Sequence, residues 1–175
     1  MSEDKNSIIE HYDASANTSH ELYNDQNIFD TSVSYPANYF RLQLLLRSFK
    51  SKKIKNVLEI GVGEGTPLSA LGNAGMDVWG FDISSEMVKK SKENISKNNM
   101  NPEQIFLGDI QDSTTYSEIL SDTKFDGLIA MGVMPHVKND NEVLQNMTSL
   151  VKSGGVSLLN FVTNCFLYSL LIVTL

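Results

Sequence analysis

The stretch Val57-Leu58-Glu59-Ile60-Gly61-Val62-Gly63-Glu64-Gly65-Thr66-Pro67 decides how the rest of the chain reads. Its apolar opening predicts a buried strand, its three alternating glycines a tight turn, and Thr66-Pro67 the start of a helix capped by Thr66. Strand, glycine turn and helix in this order make a loop for a nucleotide-like cofactor, because glycine tolerates positive φ and lets the backbone approach a ligand closely. Glu59 narrows the choice, standing at the end of the strand two residues before the first glycine. A dinucleotide would bring its pyrophosphate near such a loop, where a carboxylate repels it. Two unit charges about 4 Å apart interact by roughly 4 kcal/mol at an effective dielectric near 20, attractive or repulsive by sign. Glu59 therefore predicts a ligand with a cationic end.

The chain has 175 residues, enough for one domain with a sizeable core and too few for two ordinary ones. Hydrophobic residues make up 41% and charged residues 20%, the balance of a globular, soluble class. A net charge of −7 disfavours broad electrostatic binding to nucleic acid. The local cluster Lys50, Lys52, Lys53 and Lys55 reads as the solvated end of a helix, where cations suit the dipole. The single cysteine, Cys165, rules out an internal disulfide and a cysteine-built zinc site. With no metal-ligand cluster standing out, no metal is expected. A reducing, cytoplasmic setting is expected, and the N-terminus lacks the basic start and apolar core of a secretory signal.

From Gly154 to Leu175 no residue is charged, and Phe166 to Val173 is strongly apolar. Ser157, Asn160, Thr163, Asn164 and Ser169 interrupt it, so a buried strand followed by a buried helix is expected. A membrane span would need about 20 mainly apolar residues.

Residues 1–35 are polar and carry scattered aromatics, among them Tyr12, Tyr23, Phe29 and Tyr35; they read as an arm or lid. Pro36 opens a helix whose Leu42, Leu45, Leu46 and Phe49 share one apolar face. Strand and helix then alternate. Strands are predicted at 57–60, 78–81, 105–107, 127–131 and 156–162. Ser84 or Ser85 caps the helix after strand two, a short helix lies around Tyr116 to Leu120, and Asn139 with Glu142 makes a capping box. The helix carrying Val143, Leu144, Met147, Leu150 and Val151 is expected to stop at Gly154-Gly155. Alternating strands and helices mean an α/β fold, with ligands held beyond the carboxyl ends of parallel strands. The chain divides into an arm (1–35), a cofactor-binding domain (36–162) and an apolar tail (163–175).

On that ligand-facing edge fall the glycine loop, Asp82 after strand two, Asp109 after strand three, and Met131 onward after strand four. Taken together, NVLEIGVGEGTPL (56–68), VWGFDIS (78–84), IFLGDI (105–110), FDGLIAMGVMPHV (125–137) and LVKSGGVSLL (150–159) resemble the class I S-adenosylmethionine-dependent methyltransferases, in particular those acting on small molecules. The likeness covers roughly residues 50–162. It implies a Rossmann-like doubly wound parallel sheet of strand order 3-2-1-4-5. It also implies S-adenosylmethionine as cofactor, whose ammonium and sulfonium meet the demand made by Glu59, and a small-molecule methyl acceptor. Residue by residue, it implies that Gly61, Gly63 and Gly65 pass under the methionine part and that Glu59 meets its cationic portion. Asp82 would accept hydrogen bonds from the ribose hydroxyls, and Ile83 would pack on adenine. Asp109 would receive the adenine amino group beside Ile110, Met131 backbone groups would line the methyl-donor pocket, and Tyr12 would close over the cofactor.

Each assignment has a plainer counterpart. For Asp82 that is a helix cap and for Asp109 a turn residue, the cofactor role being favoured for both; for Tyr12 it is an exposed aromatic in the arm. Arg41 could meet the cofactor carboxylate, but snorkelling from its helix is favoured. His136, after strand four, is a candidate base, since an imidazole of pKa about 6.5 accepts a proton at neutral pH; holding the loop by hydrogen bonds is its structural alternative.

Family members carry two more strands after strand five. Only thirteen residues follow Val162, so strands six and seven are expected to be missing. Strand five would then be an exposed edge open to self-association. The leading expectation is an enzyme transferring a methyl group to a small molecule by in-line displacement. Its competitors are a shortened cofactor- or partner-binding domain without turnover, and an NAD-dependent oxidoreductase. The latter is disfavoured by the Gly-x-Gly-x-Gly spacing and by Glu59.

Overall fold

Val57, Leu58 and Ile60 of β1 (Asn56–Ile60) are buried on both faces of the strand, the condition of a central parallel strand covered by helices on each side. The computed structural model describes residues 4–17, 23, 37–119, 123–162 and 168–174. β1 pairs in parallel with β2 (Asp77–Asp82) on one side and β4 (Phe125–Ala130) on the other. β3 (Ile105–Leu107) extends the sheet beyond β2, and β5 (Val151–Val162) pairs in parallel with β4. The expected order 3-2-1-4-5 is present. Adjacent Val57 and Leu58 enter different core clusters because successive strand side chains point to opposite faces. On one face Val57 packs with Leu45 and Phe49 of α2 (Ala37–Ser51), Leu68 and Leu71 of α3 (Thr66–Asn73) and Ile95 of α4 (Ser85–Lys97). On the other, Leu58 packs with Phe81, Phe125 and the Val143, Met147 and Leu150 stripe of α5 (Asp140–Leu150).

Helix starts follow the sequence with one shift. Ser84 caps α4, its hydroxyl accepting the Met87 N–H at 3.0 Å. Asn139 caps α5 by accepting the Glu142 N–H, and Glu142 returns the bond by accepting from the Asn139 side-chain amide. Thr66 is not a cap. It is the first residue of α3, whose N-cap is Gly65 in the left-handed region with φ +88°.

Three expectations about the C-terminal part are corrected. α5 stops at Leu150 rather than at Gly154-Gly155, and Val151 already pairs with Phe125. The glycines lie inside β5, where the register slips between Phe125 and Gly127, and Gly154 at φ +80° takes up the excess chain. The tail forms no helix over 168–174. Tyr168–Thr174 is β6, antiparallel to β5 from Val156↔Thr174 to Val162↔Tyr168. Its β-branched and aromatic residues suit a strand, and β5 offered an unpaired ladder. A sixth strand is therefore present, and the β5 edge expected to be free for self-association is occupied. Among the described residues no helix is long and apolar enough to cross a membrane.

Two smaller differences concern loops. The helix expected around Tyr116 is a wide π-type turn over Thr115–Ile119. The polar arm contains α1 (Lys5–Ser15), which buries Ile8. Leu120, Phe29, Tyr35, Pro36 and Cys165 lie outside the described residues.

Candidate functional site

Beyond the carboxyl ends of β1 to β4 lies a cavity of about 800 Å³, within the range of small-ligand sites. The glycine loop forms its floor. Gly61 and Val62 donate their N–H groups to the Phe81 carbonyl at 2.9 and 3.1 Å, and Gly63 donates to Asp82 Oδ2 at 2.9 Å. Gly61 and Gly63 hold φ at +70° and +53°, a region that side chains with a Cβ avoid. A Cβ on Gly61 would also run into Val133. Gly65 differs from its expected role. It does not line the cavity but starts α3 against Ser91 of α4.

Three carboxylates border this floor. Glu59 is 2% exposed, and its Oε2 has no hydrogen-bond partner among the described residues. Burial, then the neighbouring Glu64 and Asp82, push its pKa well above the ordinary carboxylate range. A ligand bringing positive charge would relieve that cost. Glu64 is held by the Thr66 N–H at 3.2 Å and by the Asn94 amide at 2.9 Å. Asp82 accepts from Gly63 through one oxygen and from the Ser84 N–H through the other, at 3.0 Å. Burial raises its pKa against the lowering effect of those bonds. The plainer reading of Asp82 as a helix cap does not hold, because Ser84 performs that task.

The next loops add the remaining groups. Ile83 and Met87 make an apolar wall beside Asp82, facing Asp109 and Ile110 from the end of β3. Met131 follows β4, and a 3-10 turn over Met134–His136 brings His136 to the same cavity. α1 crosses above. Lys5 pairs with Asp109 at 2.7 Å, Asp13 accepts the Ser84 hydroxyl, and the Tyr12 hydroxyl meets His136 Nε2 at 3.1 Å. The two rings sit edge to face, 5.8 Å apart. The arm is thus tied to the loops after β2, β3 and β4.

Of the residues singled out from sequence, Glu59, Gly61, Gly63, Asp82, Ile83, Asp109, Ile110, Met131, Tyr12 and His136 all line this cavity. Lys5, Tyr23, Asn38 and Glu64 join them unforeseen. Only Glu64 carried a signal, as an acid inside the glycine loop; the others come from the arm and α2, whose placement no local pattern announces. Arg41, expected to snorkel, lines the cavity and donates to Asn38 at 2.8 Å. Tyr23 is half-buried, and desolvation with the charges of Glu59 and Glu64 raises its phenol above the ordinary value.

This arrangement has known counterparts. A family model described as a methyltransferase domain matches residues 51–165. The chain belongs to that family, within the class I S-adenosylmethionine-dependent methyltransferases, whose methyl donor is S-adenosylmethionine. Among curated proteins, it is 29% identical over 105 residues to a ubiquinone biosynthesis O-methyltransferase of Glaesserella parasuis, covering 58% of this chain and 43% of that one. It is 21% identical over 147 residues to the protein of the same name from Rickettsia typhi, covering 81% and 56%. The chain spans about half the length of the curated relatives it matches. Its fold is similar to magnesium protoporphyrin IX methyltransferase from Synechocystis, solved with S-adenosylhomocysteine bound. That match has a TM-score of 0.69 and 17% identity, covering 92% of this chain and 73% of that one.

The cavity fits the cofactor of that family. An orphaned buried carboxylate oxygen awaits a cation, open space lies at Gly63, where a Cβ would meet nothing within 4 Å, and apolar walls at Ile83 and Ile110 suit a flat ring.

Proposed function

We propose that this chain is the cofactor-binding part of an S-adenosylmethionine-dependent enzyme that methylates a small molecule by in-line displacement. The observation that carries the reading is the buried Glu59 carboxylate, with one oxygen unpartnered among the described residues, set beside a glycine loop that leaves room for a ligand. Such a site rewards a cationic methionine end and repels a pyrophosphate, which sets an NAD-dependent oxidoreductase aside.

S-adenosylmethionine, when bound, supplies an electrophilic methyl group. Glu59, with the Gly61–Gly63 backbone, holds the cationic methionine end, and Arg41 meets its carboxylate. Asp82 accepts from the ribose hydroxyls while fixing the glycine loop through Gly63. Ile83 and Ile110 sandwich the adenine, and Asp109 accepts from its amino group. The Met131 backbone borders the donor's reacting end, and Tyr12 covers the cavity from α1. His136 accepts the acceptor's proton, so Tyr12 shares its Nε2 until the acceptor arrives. Orientation supplies most of the acceleration, since holding two reactants in line replaces a bimolecular encounter. The relatives named ubiquinone biosynthesis O-methyltransferases point to an oxygen atom as acceptor, and the lone cysteine suits the cytoplasm.

Isothermal titration with S-adenosylhomocysteine tests the cofactor assignment, followed by transfer of labelled methyl groups to fractionated metabolites. Saturable binding and a labelled product are expected. Absence of binding by folded protein overturns the reading; binding without transfer makes the chain a cofactor-binding domain without turnover.

A further inference from the structure

Asp109 and Ile110 face the cavity from a loop that belongs to neither strand nor helix, so something must hold them. Two side chains behind the loop do so. Thr115 Oγ1 accepts the Asp109 N–H at 3.1 Å, and the Tyr116 hydroxyl donates to the Ile110 carbonyl. Neither Thr115 nor Tyr116 lines the cavity, and both are buried, at 4% and 9% exposure. The Tyr116 ring is itself braced edge-on against Phe81, 6.5 Å between centroids, and Phe81 immediately precedes Asp82. The loop's own bonds complete the frame: Gln111 N–H to Asp109 Oδ1 at 2.9 Å and Asp112 N–H to the Asp109 carbonyl at 3.0 Å.

The fit is close. A Cβ on Gly108 would lie 2.8 Å from Thr115 Cγ2 and 3.2 Å from Phe81 Cδ2, so the loop cannot shift towards its support. Thr115 and Tyr116 open the π-type turn Thr115–Ile119, a rare geometry that recurs at functional sites. Burial and the Asp109 charge raise the Tyr116 phenol above its ordinary value, which keeps it a donor throughout the neutral range.

We propose that Thr115 and Tyr116 are positioning residues that set the site's preference for adenine by holding the Asp109–Ile110 backbone in register with the purine edge. The proposal rests on the assignment of Asp109 to the adenine amino group. A site that hydrogen-bonds a ligand's amino group disfavours an analogue with a carbonyl in its place, because the Asp109 carboxylate, already paired with Lys5 and the Gln111 N–H, then meets a second acceptor. Valine at 115 keeps the shape of threonine and removes the acceptor, whereas serine keeps the hydroxyl. Phenylalanine at 116 keeps the ring and removes the donor.

The experiment measures two dissociation constants for the full chain by titration, one for S-adenosylhomocysteine and one for S-inosylhomocysteine, in which a carbonyl oxygen replaces the amino group. The wild type is expected to prefer the adenosyl compound by about tenfold or more, one charge-assisted hydrogen bond's worth. Thr115→Val and Tyr116→Phe should each cut that ratio by about fivefold, and Thr115→Ser should keep it. General loosening would weaken both compounds equally and leave the ratio unchanged, so an unchanged ratio in folded Thr115→Val or Tyr116→Phe overturns the proposal. Equal binding of both compounds by the wild type also overturns it while leaving the donor site standing. Binding of neither by folded wild type removes the functional reading and this inference together. If one variant does not fold, the other decides.

Discussion

The β1–β4 half of the sheet and the β5–β6 hairpin are built from equally apolar sequence, yet they carry chemistry very differently. Each of the first four strands ends at the cavity and delivers something there: Glu59 and the glycine loop, Asp82, Asp109, and Met131 with His136. Over residues 151–159, β5 contributes no lining residue. Strand direction sets β6 apart from the other five. Parallel strands joined by crossovers all end on one rim, so their loops converge. β6 turns back antiparallel beside β5 and runs away from that rim. Its pairing satisfies backbone groups along β5. A group's distance from the chemistry is set by which end of which strand it follows, not by how hydrophobic its neighbourhood is.

The largest effect should come from the shared centre. Leu58 is fully buried in β1, so Leu58→Ala should cost about 2–5 kcal/mol of stability, read from the denaturant midpoint. A loss under about 1 kcal/mol would mean that β1 is not the packing centre of both halves.

Next comes the rim. Asp82→Asn puts a donor NH2 at one of the two oxygen positions that each accept an N–H, and should weaken S-adenosylhomocysteine by about tenfold to a hundredfold, or about 1.4–2.8 kcal/mol. Titration with affinity unchanged would detach Asp82 from the ligand and leave it a brace of the glycine loop.

Glu59 gives a pH signature. Its folded pKa is raised by burial, then by Glu64 and Asp82, so the folded ligand-free protein holds this proton more tightly than the unfolded chain does. That stabilisation is fully present below the ordinary carboxylate pKa and is lost as pH rises through the folded value. Thermal stability of the ligand-free protein should therefore fall from about pH 5 towards neutrality. Glu59→Gln should flatten that fall and raise the neutral-pH Tm by a few degrees, about 1 kcal/mol corresponding to about 2–4 °C at this size. Some slope should remain from Asp82, whose pKa burial also raises. A steeper fall in Glu59→Gln would contradict the burial of an unpaired acid.

The smallest effect belongs to the hairpin side. Asp126 accepts from Lys152 of β5 at 2.7 Å and from the Asn56 and Lys55 N–H groups at 3.2 and 3.3 Å, and the Lys152 bond chiefly holds its carboxyl below the ordinary range. Asp126→Asn should cost about 0.5–1 kcal/mol and leave S-adenosylhomocysteine affinity unchanged. A changed affinity would show that the far end of the sheet does reach the cavity.

The rim was legible because its signals are local. Glycine at positive φ, an acid at the end of an apolar run and a serine cap each act within a few residues, so Gly61, Gly63, Glu59 and Ser84 could be read directly. Gly65 was read with its neighbours, although its close contact is with Ser91 of another helix, which no spacing reveals. Val151 through Gly155 look like the end of a helix until β4 offers a partner for Val151. The tail 168–174 is apolar enough for helix or strand, and only the free ladder of β5 makes it a strand.

By itself, then, the sequence determined the alternation of strands and helices, the glycine turn, and the acids placed at strand ends, since short-range backbone preference and hydrophobic period suffice for these. Only the tertiary structure decided that Lys5, Tyr12 and Asp13 of the arm meet Asp109, His136 and Ser84, that Thr115 and Tyr116 stand behind the Asp109–Ile110 loop, and that the tail pairs with β5. Those choices depend on hydrogen bonds and burial between segments far apart in the chain, which become available only once the sheet has brought them together.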